Sequence, residues 1–116
     1  MKKLLAAVSC IGLILSAQLS AQEKGQGKGA ASNAAKGKVA FVSSCMTCHS
    51  PDSGDQIVGP GLKDLFKHAK LVNDQAPNDG SVMGIINQGS PNGMPPFADL
   101  LTAPEKADIL AYLKTL

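Results

Sequence analysis

The chain has no tryptophan, one tyrosine and three phenylalanines among its 116 residues. So few aromatic side chains leave little bulk for a core, and a domain this short buries only a modest share of its surface. An excess of one charge is also missing, since eleven basic residues stand against nine acidic ones. This balance argues against nucleic-acid binding, which favours a basic patch or stripe.

The chain also lacks an apolar run long enough for a comfortable membrane span. Its N-terminus is instead typical of a secretory signal: Lys2 and Lys3 are followed by the apolar segment Leu4 to Leu15 and a cleavage position after Ala21. We therefore predict a signal peptide over residues 1–21 and a location in the periplasm. An uncleaved signal that anchors the protein to the membrane, facing the periplasm, is the minor alternative.

Residues 22–33 contain no apolar side chain larger than alanine. A segment of this composition cannot form a core, so we predict a flexible linker. The folded domain is predicted over residues 34–116, where apolar residues recur at the i, i+3, i+4 spacing of helices. Strand-like alternation is weak throughout, and the predicted fold class is all-α.

The spacing of the apolar residues predicts four helices. They cover residues 34–48, residues 62–70, a segment that carries Val82, Ile85 and Ile86 and ends at Gly89, and a final segment after Thr102. Thr102 and Glu105 form a capping-box pattern with Pro104 in the first turn. The final helix then has an apolar face made of Ile109, Tyr112, Leu113 and Leu116.

The most specific motif is Cys45-Met46-Thr47-Cys48-His49, the C-x-x-C-H pattern of c-type haem attachment. On a helix, the two cysteines and the histidine fall at i, i+3 and i+4 and share one face. The thiols of Cys45 and Cys48 could then form thioethers with the haem vinyl groups while His49 reaches the iron. The sequence therefore predicts one haem c, bound covalently through Cys45 and Cys48.

Three other interpretations of this motif are weaker. A thioredoxin-like redox pair needs a βαβ setting, which the sequence around Cys45 does not predict. A zinc site needs four ligands, and only His68 and the distant Cys10 remain to complete one. A disulfide between Cys45 and Cys48 would close a small, strained loop and would leave His49 unexplained.

The iron of such a haem needs a sixth ligand, for which Met94 is the strongest candidate. Met94 lies in a proline-rich loop, and we expect Gly93 to allow a close backbone approach there. Met83 falls inside a helix, where packing is the commoner role of methionine. His68 lies among charged residues and suits a solvated helix face better than an iron site.

With these motifs the chain resembles the class I c-type cytochromes over about residues 34–116. The resemblance is carried by the C-x-x-C-H motif, Gly59-Pro60-Gly61-Leu62, Gly93-Met94-Pro95-Pro96-Phe97 and a C-terminal amphipathic helix that contains Tyr112. It implies a cytochrome c fold of about four helices around one haem. It also implies that the first and last helices cross, with Gly37 and Phe41 against the face of Ile109, Tyr112 and Leu113.

The resemblance further assigns roles around the haem. The backbone carbonyl of Pro60 would accept a hydrogen bond from the His49 ring, and Leu62 would pack on the haem face. Further lining candidates are Ile57, Val58, Ile85 and Ile86. Many relatives use a tryptophan or tyrosine to bind a haem propionate. This chain has no tryptophan, so amide or backbone donors within residues 73–88 would have to substitute.

The predicted function is one-electron transfer between redox protein partners. With His49 and Met94 on the iron, no position is open to a substrate, so we predict neither an enzyme nor a small-molecule ligand. The docking surface is expected near Met46, Thr47, Val58 and Pro95 to Phe97. Lys63, Lys67 and Lys70 could steer an acidic partner, although a solvated lysine face is the simpler interpretation.

Two alternatives stay open at this point. One is a small haem protein whose sixth ligand is labile and gives way to gas or peroxide. The other is the haem c subunit of a membrane oxidase or dehydrogenase complex. Both keep the C-x-x-C-H motif as a haem attachment site. The first differs from the electron carrier in the sixth ligand of the iron, and the second differs in the proteins to which the domain is bound.

Overall fold

The computed structural model describes residues 31–116. It contains three α-helices, α1 (Ala34–Ser44), α2 (Asp79–Gln88) and α3 (Ala103–Leu113), and a 3₁₀ turn at Leu65–Lys67. No strand occurs within that range, and the all-α fold class is confirmed. The predicted signal peptide and most of the predicted linker lie outside the described residues.

Between residues 31 and 116, no helix has both the length and the apolar character needed to cross a bilayer.

Helix α1 is shorter than predicted. It begins after Asn33, whose side-chain oxygen accepts hydrogen bonds from two backbone N–H groups of the first turn, and it ends at Ser44 rather than Cys48. Cys45 leaves the helical region with φ −120°, ψ −31°. Hydrogen bonding nevertheless continues for one turn, because the N–H groups of Cys48 and His49 donate to the Cys45 carbonyl at 3.0 and 2.9 Å.

The helix predicted over residues 62–70 is wrong except for the 3₁₀ turn. Asp64, immediately before this turn, has a left-handed backbone (φ 56°), and His68, immediately after it, is extended. An α-helix cannot pass through either conformation. The helical spacing of Leu62, Leu65 and Phe66 therefore reflects residues that face the core from a loop.

Helix α2 ends before Gly89 and helix α3 begins after Thr102, as predicted, but α3 ends at Leu113, so Leu116 lies beyond the helix on which it was expected. Asn78 caps α2 by accepting the Ser81 N–H, and the Ser81 hydroxyl accepts the Asn78 N–H in return. Gly89 follows the last residue of α2 with φ 72°. At α3, the Glu105 carboxylate accepts the Thr102 N–H at 2.8 Å, and the Thr102 hydroxyl accepts the Glu105 N–H at 3.4 Å.

The first and last helices cross at Gly37, as the resemblance implied. A Cβ atom at Gly37 would lie 1.8 Å from the Asp108 carbonyl oxygen, so only glycine permits this approach. Beside the crossing, the rings of Phe41 and Tyr112 meet edge to face, with centroids 5.4 Å apart. Such pairs add about 0.5–1.5 kcal/mol beyond the area that they bury.

The buried apolar core consists of six side chains: Phe41, Leu65, Val82, Ile86, Ile109 and Leu113. They come from all three helices and from the 3₁₀ turn. Every one of them also lines a single cavity. The hydrophobic residues of this domain are therefore arranged around a space rather than packed only against one another.

Candidate haem site

The central cavity has a volume of about 430 Å³ and a mainly apolar wall. Protein interiors are close-packed. This cavity is partly open to solvent, so its apolar wall would be exposed to water if nothing filled it, which is unfavourable. The fold thus fits a large apolar group held at its centre.

The structure brings together the six residues that were predicted to hold haem. All of them line the cavity: Cys45, Cys48, His49, Pro60, Leu62 and Met94. Val58, Ile85 and Ile86 line it as well. Ile57 does not line the cavity and is 55% exposed. The expectation for Ile57 is therefore wrong.

The His49 ring is buried and fixed from two directions. Its Nδ1 lies 2.8 Å from the Pro60 carbonyl oxygen, which only accepts hydrogen bonds, so Nδ1 carries the proton. This tautomer leaves the lone pair of Nε2 free for a metal. Gly59 lies against the ring, since a Cβ atom there would be 2.5 Å from Cε1 of His49. The ring has little room to turn.

The two cysteines lie in the wall beside this ring. Burial, and then the neighbouring Cys48, raises the pKa of Cys45 to about 11, so its thiol is neutral at physiological pH. A neutral thiol suits the apolar wall of the cavity. Within residues 31–116, no three His, Cys, Asp or Glu side chains are grouped so as to hold a metal ion. The donor set thus fits thioether attachment of haem better than zinc.

Met94 lies in a loop, residues 89–98, that we call the methionine loop. The Met94 carbonyl accepts the Ser90 N–H at 3.0 Å, and the Ser90 carbonyl accepts the Gly93 N–H at 3.1 Å. The expected close approach occurs at Gly89, where a Cβ atom would lie 2.2 Å from the Met94 oxygen. Nothing lies within 4 Å of such an atom at Gly93, which is needed instead for its φ of 106°. The role predicted for Gly93 is corrected accordingly.

His68 does not reach the cavity. Its ring is exposed, and Nε2 lies 3.0 Å from the Lys63 carbonyl oxygen. Two of the nearby lysines are paired with carboxylates, Lys67 with Asp64 and Lys70 with Asp74. These pairs leave less free positive charge on this face than the sequence suggests.

A second cavity of about 250 Å³ adjoins the first and shares Val72, Ile85 and Ser90 with it. Its wall includes three amide side chains from the range expected to supply propionate donors: Asn73, Gln75 and Gln88. Asn73 and Gln75 already hydrogen-bond each other, from Nδ2 to Oε1 at 3.1 Å. The expected amides are therefore placed beside the haem cavity.

Sequence reasoning missed the residue that joins the methionine loop to α3. The Lys106 ammonium donates to the Asn87 side-chain oxygen at 2.8 Å and to the Ala98 carbonyl at 3.0 Å. Its partners are 19 and 8 residues away along the chain. No local pattern predicts such a contact, because a lysine in an amphipathic helix ordinarily indicates a solvated face.

Comparisons with known proteins agree with this geometry. Residues 32–113 match the family described as cytochrome c oxidase, cbb3-type, subunit III. The chain is 32% identical over 83 residues to cytochrome c6 of Rippkaea orientalis, which covers 72% of this chain and 70% of that protein. Cytochrome c6 of the diatom Phaeodactylum tricornutum has a similar structure, with a TM-score of 0.58 over 72% of this chain and 92% of that one. At 22% identity, this last likeness is evidence for the fold alone.

The family match, over residues 32–113, covers all the residues that line the cavity. Family membership brings one covalent haem c as the cofactor, and the cavity, the two thiols and the oriented imidazole fit that group. The chain therefore belongs to the class I monohaem c-type cytochromes.

Proposed function

We propose that this cytochrome is an exported one-electron carrier that works between redox protein partners and has no substrate of its own. The observation that carries the proposal is that His49 and Met94 line the same cavity as the two cysteines. When bound, the haem supplies an iron that alternates between Fe(III) and Fe(II). His49 and Met94 would both ligate this iron, which would leave no coordination position open to a substrate.

In this proposal, Cys45 and Cys48 attach the haem and His49 is the nitrogen ligand. The carbonyl of Pro60 holds the proton of His49 on Nδ1 and fixes the plane of the ring. Leu62 packs against the haem face and helps to exclude water. Met94 is the sixth ligand, and a methionine there raises the reduction potential relative to other axial pairs.

Substitution of Met94 tests the proposed ligation. We expect Met94→Ala to lose the methionine-to-iron charge-transfer band and to lower the reduction potential, while far-UV circular dichroism shows that the helices remain. Met83→Ala is the matched control, because Met83 lies in α2 and does not line the cavity. An unchanged spectrum in Met94→Ala would instead favour the haem protein with a labile sixth ligand.

The proposed docking surface surrounds the mouth of the cavity. Met46 and Val58 are 49% and 71% exposed, and Pro95 and Pro96 are exposed as well; Val58 and Pro95 line the cavity. Exposed apolar residues next to an electron-transfer cofactor suit brief contact with another redox protein. Cross-linking to a purified donor protein should be weakened by Val58→Asp and unchanged by Val39→Asp, a substitution at a similarly exposed valine of α1.

A second candidate is supported by the matching family, whose description names a subunit of an oxidase. In that case this cytochrome would pass electrons within a larger complex. Size-exclusion of material purified gently from native membranes and from the soluble fraction separates the two proposals. Elution as a small protein supports the free carrier, and co-elution with a large haem-containing complex supports the subunit.

Export is proposed from residues 1–21, with residues 22–33 as a linker to the domain at 34–116. The support is the basic start at Lys2 and Lys3 and the apolar segment that follows. Intact-mass measurement of the protein from a periplasmic extract is expected to place the mature N-terminus at Gln22. A chain that retains Met1 and stays with the membrane would favour the anchored form.

A further inference from the structure

One lysine joins three segments beside the methionine loop. Lys106 lies near the start of α3, and its ammonium reaches the Asn87 side chain near the end of α2 and the carbonyl of Ala98. Ala98 is the last residue of the methionine loop. The two hydrogen bonds therefore connect the base of that loop to both neighbouring helices.

The same junction is already closed by backbone hydrogen bonds. The Phe97 N–H donates to the Ile86 carbonyl at 2.9 Å, and the Ala98 N–H donates to the Asn87 carbonyl at 3.2 Å. Asn87 is thus held through both its backbone and its side chain. Lys106 adds two charge-assisted bonds at the point where the loop would separate from α2 if it opened.

The position of this lysine is unfavourable for its charge. The N-terminus of a helix carries partial positive charge, which disfavours a cation in or near the first turn. Among residues 31–116, no carboxylate forms an ion pair with Lys106, whereas three other lysines have such partners. Neutral acceptors alone hold the ammonium, so its contacts are directed at the loop base rather than at a neighbouring acid.

We propose that Lys106 is a positioning residue that keeps the methionine loop closed over the iron. This inference rests on the proposed role of Met94 as the sixth ligand. A thioether is a weak ligand, so the resistance of the sixth position to displacement depends on how firmly the loop is held. Lys106 acts on that resistance through Asn87 and Ala98, without touching the iron.

The test is imidazole titration of the ferric holoprotein, because imidazole binds iron only when Met94 has left. The apparent affinity for imidazole rises in proportion to the open fraction of the loop. Loss of the charged hydrogen bonds in Lys106→Met is expected to raise that affinity roughly tenfold. Lys106→Arg retains a cationic donor and is expected to restore much of the wild-type value.

Lys114→Met is the matched control. Lys114 lies just beyond the same helix and pairs with Asp79 at the start of α2, which is the end of α2 opposite to the methionine loop. Both lysine variants remove a link to α2 and are expected to lower the unfolding midpoint slightly. Only Lys106→Met is expected to change the imidazole affinity; Lys114→Met should stay within about twofold of wild type.

Equal imidazole affinities in wild type, Lys106→Met and Lys114→Met would overturn the proposal. Should Lys106→Met fail to load haem, Asn87→Ala removes one acceptor of the same ammonium and is expected to raise the affinity by a smaller factor; no change there would also overturn it. A wild-type protein without a methionine-to-iron band would contradict the role of Met94 itself, which is a separate outcome.

Discussion

The two proposed iron ligands, His49 on what we call the histidine face of the cavity and Met94 on the methionine face, are held by different means. On the histidine face, one ring is 9% exposed, bonded at Nδ1 to Pro60 and bounded by the backbone of Gly59. On the methionine face, Met94 belongs to a largely exposed loop that is held at its base by backbone bonds and by Lys106. The first face would fix the proposed nitrogen ligand itself, and the second would fix the loop that carries the proposed sixth ligand.

This difference follows from the strengths of the two donors. An imidazole that is already in the right tautomer and orientation binds iron firmly, so its side of the site needs only to prevent rotation. A thioether binds weakly and its side chain is flexible, so the backbone around it must supply the order. We expect substitutions on the histidine face to affect the whole fold, and those on the methionine face to affect the sixth ligand first.

The largest effect should come from a change that prevents covalent attachment of the haem, because the histidine face and the methionine face then lose the group between them together. Replacing Cys45 and Cys48 with alanine would abolish covalent attachment of the haem, and the apolar side chains that line the cavity would then be exposed to water. We expect the far-UV circular dichroism of the double variant to lose most of its helical signal and its cooperative melting. Thr47→Ala, an exposed change inside the same motif, is expected to keep both.

On the histidine face, Gly59→Ala should be the most damaging single change. Its Cβ atom would meet the imidazole at 2.5 Å, and the ring cannot move without losing its bond to Pro60. We expect a loss of about 3 kcal/mol in the free energy of unfolding, measured by denaturant titration of the holoprotein. Gly54→Ala is the control in the same loop, since nothing lies within 4 Å of its Cβ position. Equal stabilities of the two variants would refute the packing of Gly59 on the ring.

On the methionine face, Gly93→Ala should have a smaller and more local effect. The new methyl group meets no neighbour, but φ of 106° is strained for any residue with a side chain. The expected loss of stability is about 1–2 kcal/mol, and it affects mainly the methionine loop. In a denaturant titration, the methionine-to-iron band should disappear before the helical signal does. Simultaneous loss of the methionine-to-iron band and the helical signal would mean that the methionine face does not unfold separately from the rest of the domain.

The smallest effect concerns the cap of α3, the helix that carries Lys106. Hydrogen bonds from the Thr102 side chain and backbone hold the pKa of Glu105 below its ordinary value of 4.5. A lowered pKa means that the contribution of this carboxylate is fully present above the ordinary value and is lost as pH falls through the lowered one.

Denaturant midpoints of wild type and Glu105→Gln, measured from about pH 6 down to pH 3, test this linkage. The wild-type advantage should be small at pH 6 and should vanish at the acidic end. An advantage that persists unchanged at low pH would show that the carboxylate charge is not involved in the cap.

Local patterns predicted most of the site and part of the fold. The C-x-x-C-H motif placed three side chains on one turn. The Thr102–Glu105 capping box located the start of α3, and Gly89 located the end of α2. All of these patterns depend on neighbouring residues alone. The family resemblance supplied the contact between the His49 ring and Pro60, which helical spacing could not have given. The roles of these residues toward the haem stay predictions until the variants are measured.

The errors arise where backbone conformation or long-range contacts decide. The left-handed conformation of Asp64 interrupts the helix that apolar spacing predicts over residues 62–70. The close approach at Gly89 depends on how the loop folds back on α2, so nothing in the sequence distinguishes it from Gly93. The contacts of Lys106 join segments that the amino-acid order keeps apart.

An optical redox titration of the exported holoprotein tests the central claim most directly. We expect one reversible one-electron transition, with the methionine-to-iron band present in the oxidised form and lost on reduction. A single transition with that band would establish one haem c held by nitrogen and thioether donors. A haem spectrum without the band, or a protein that takes up no electrons, would contradict it.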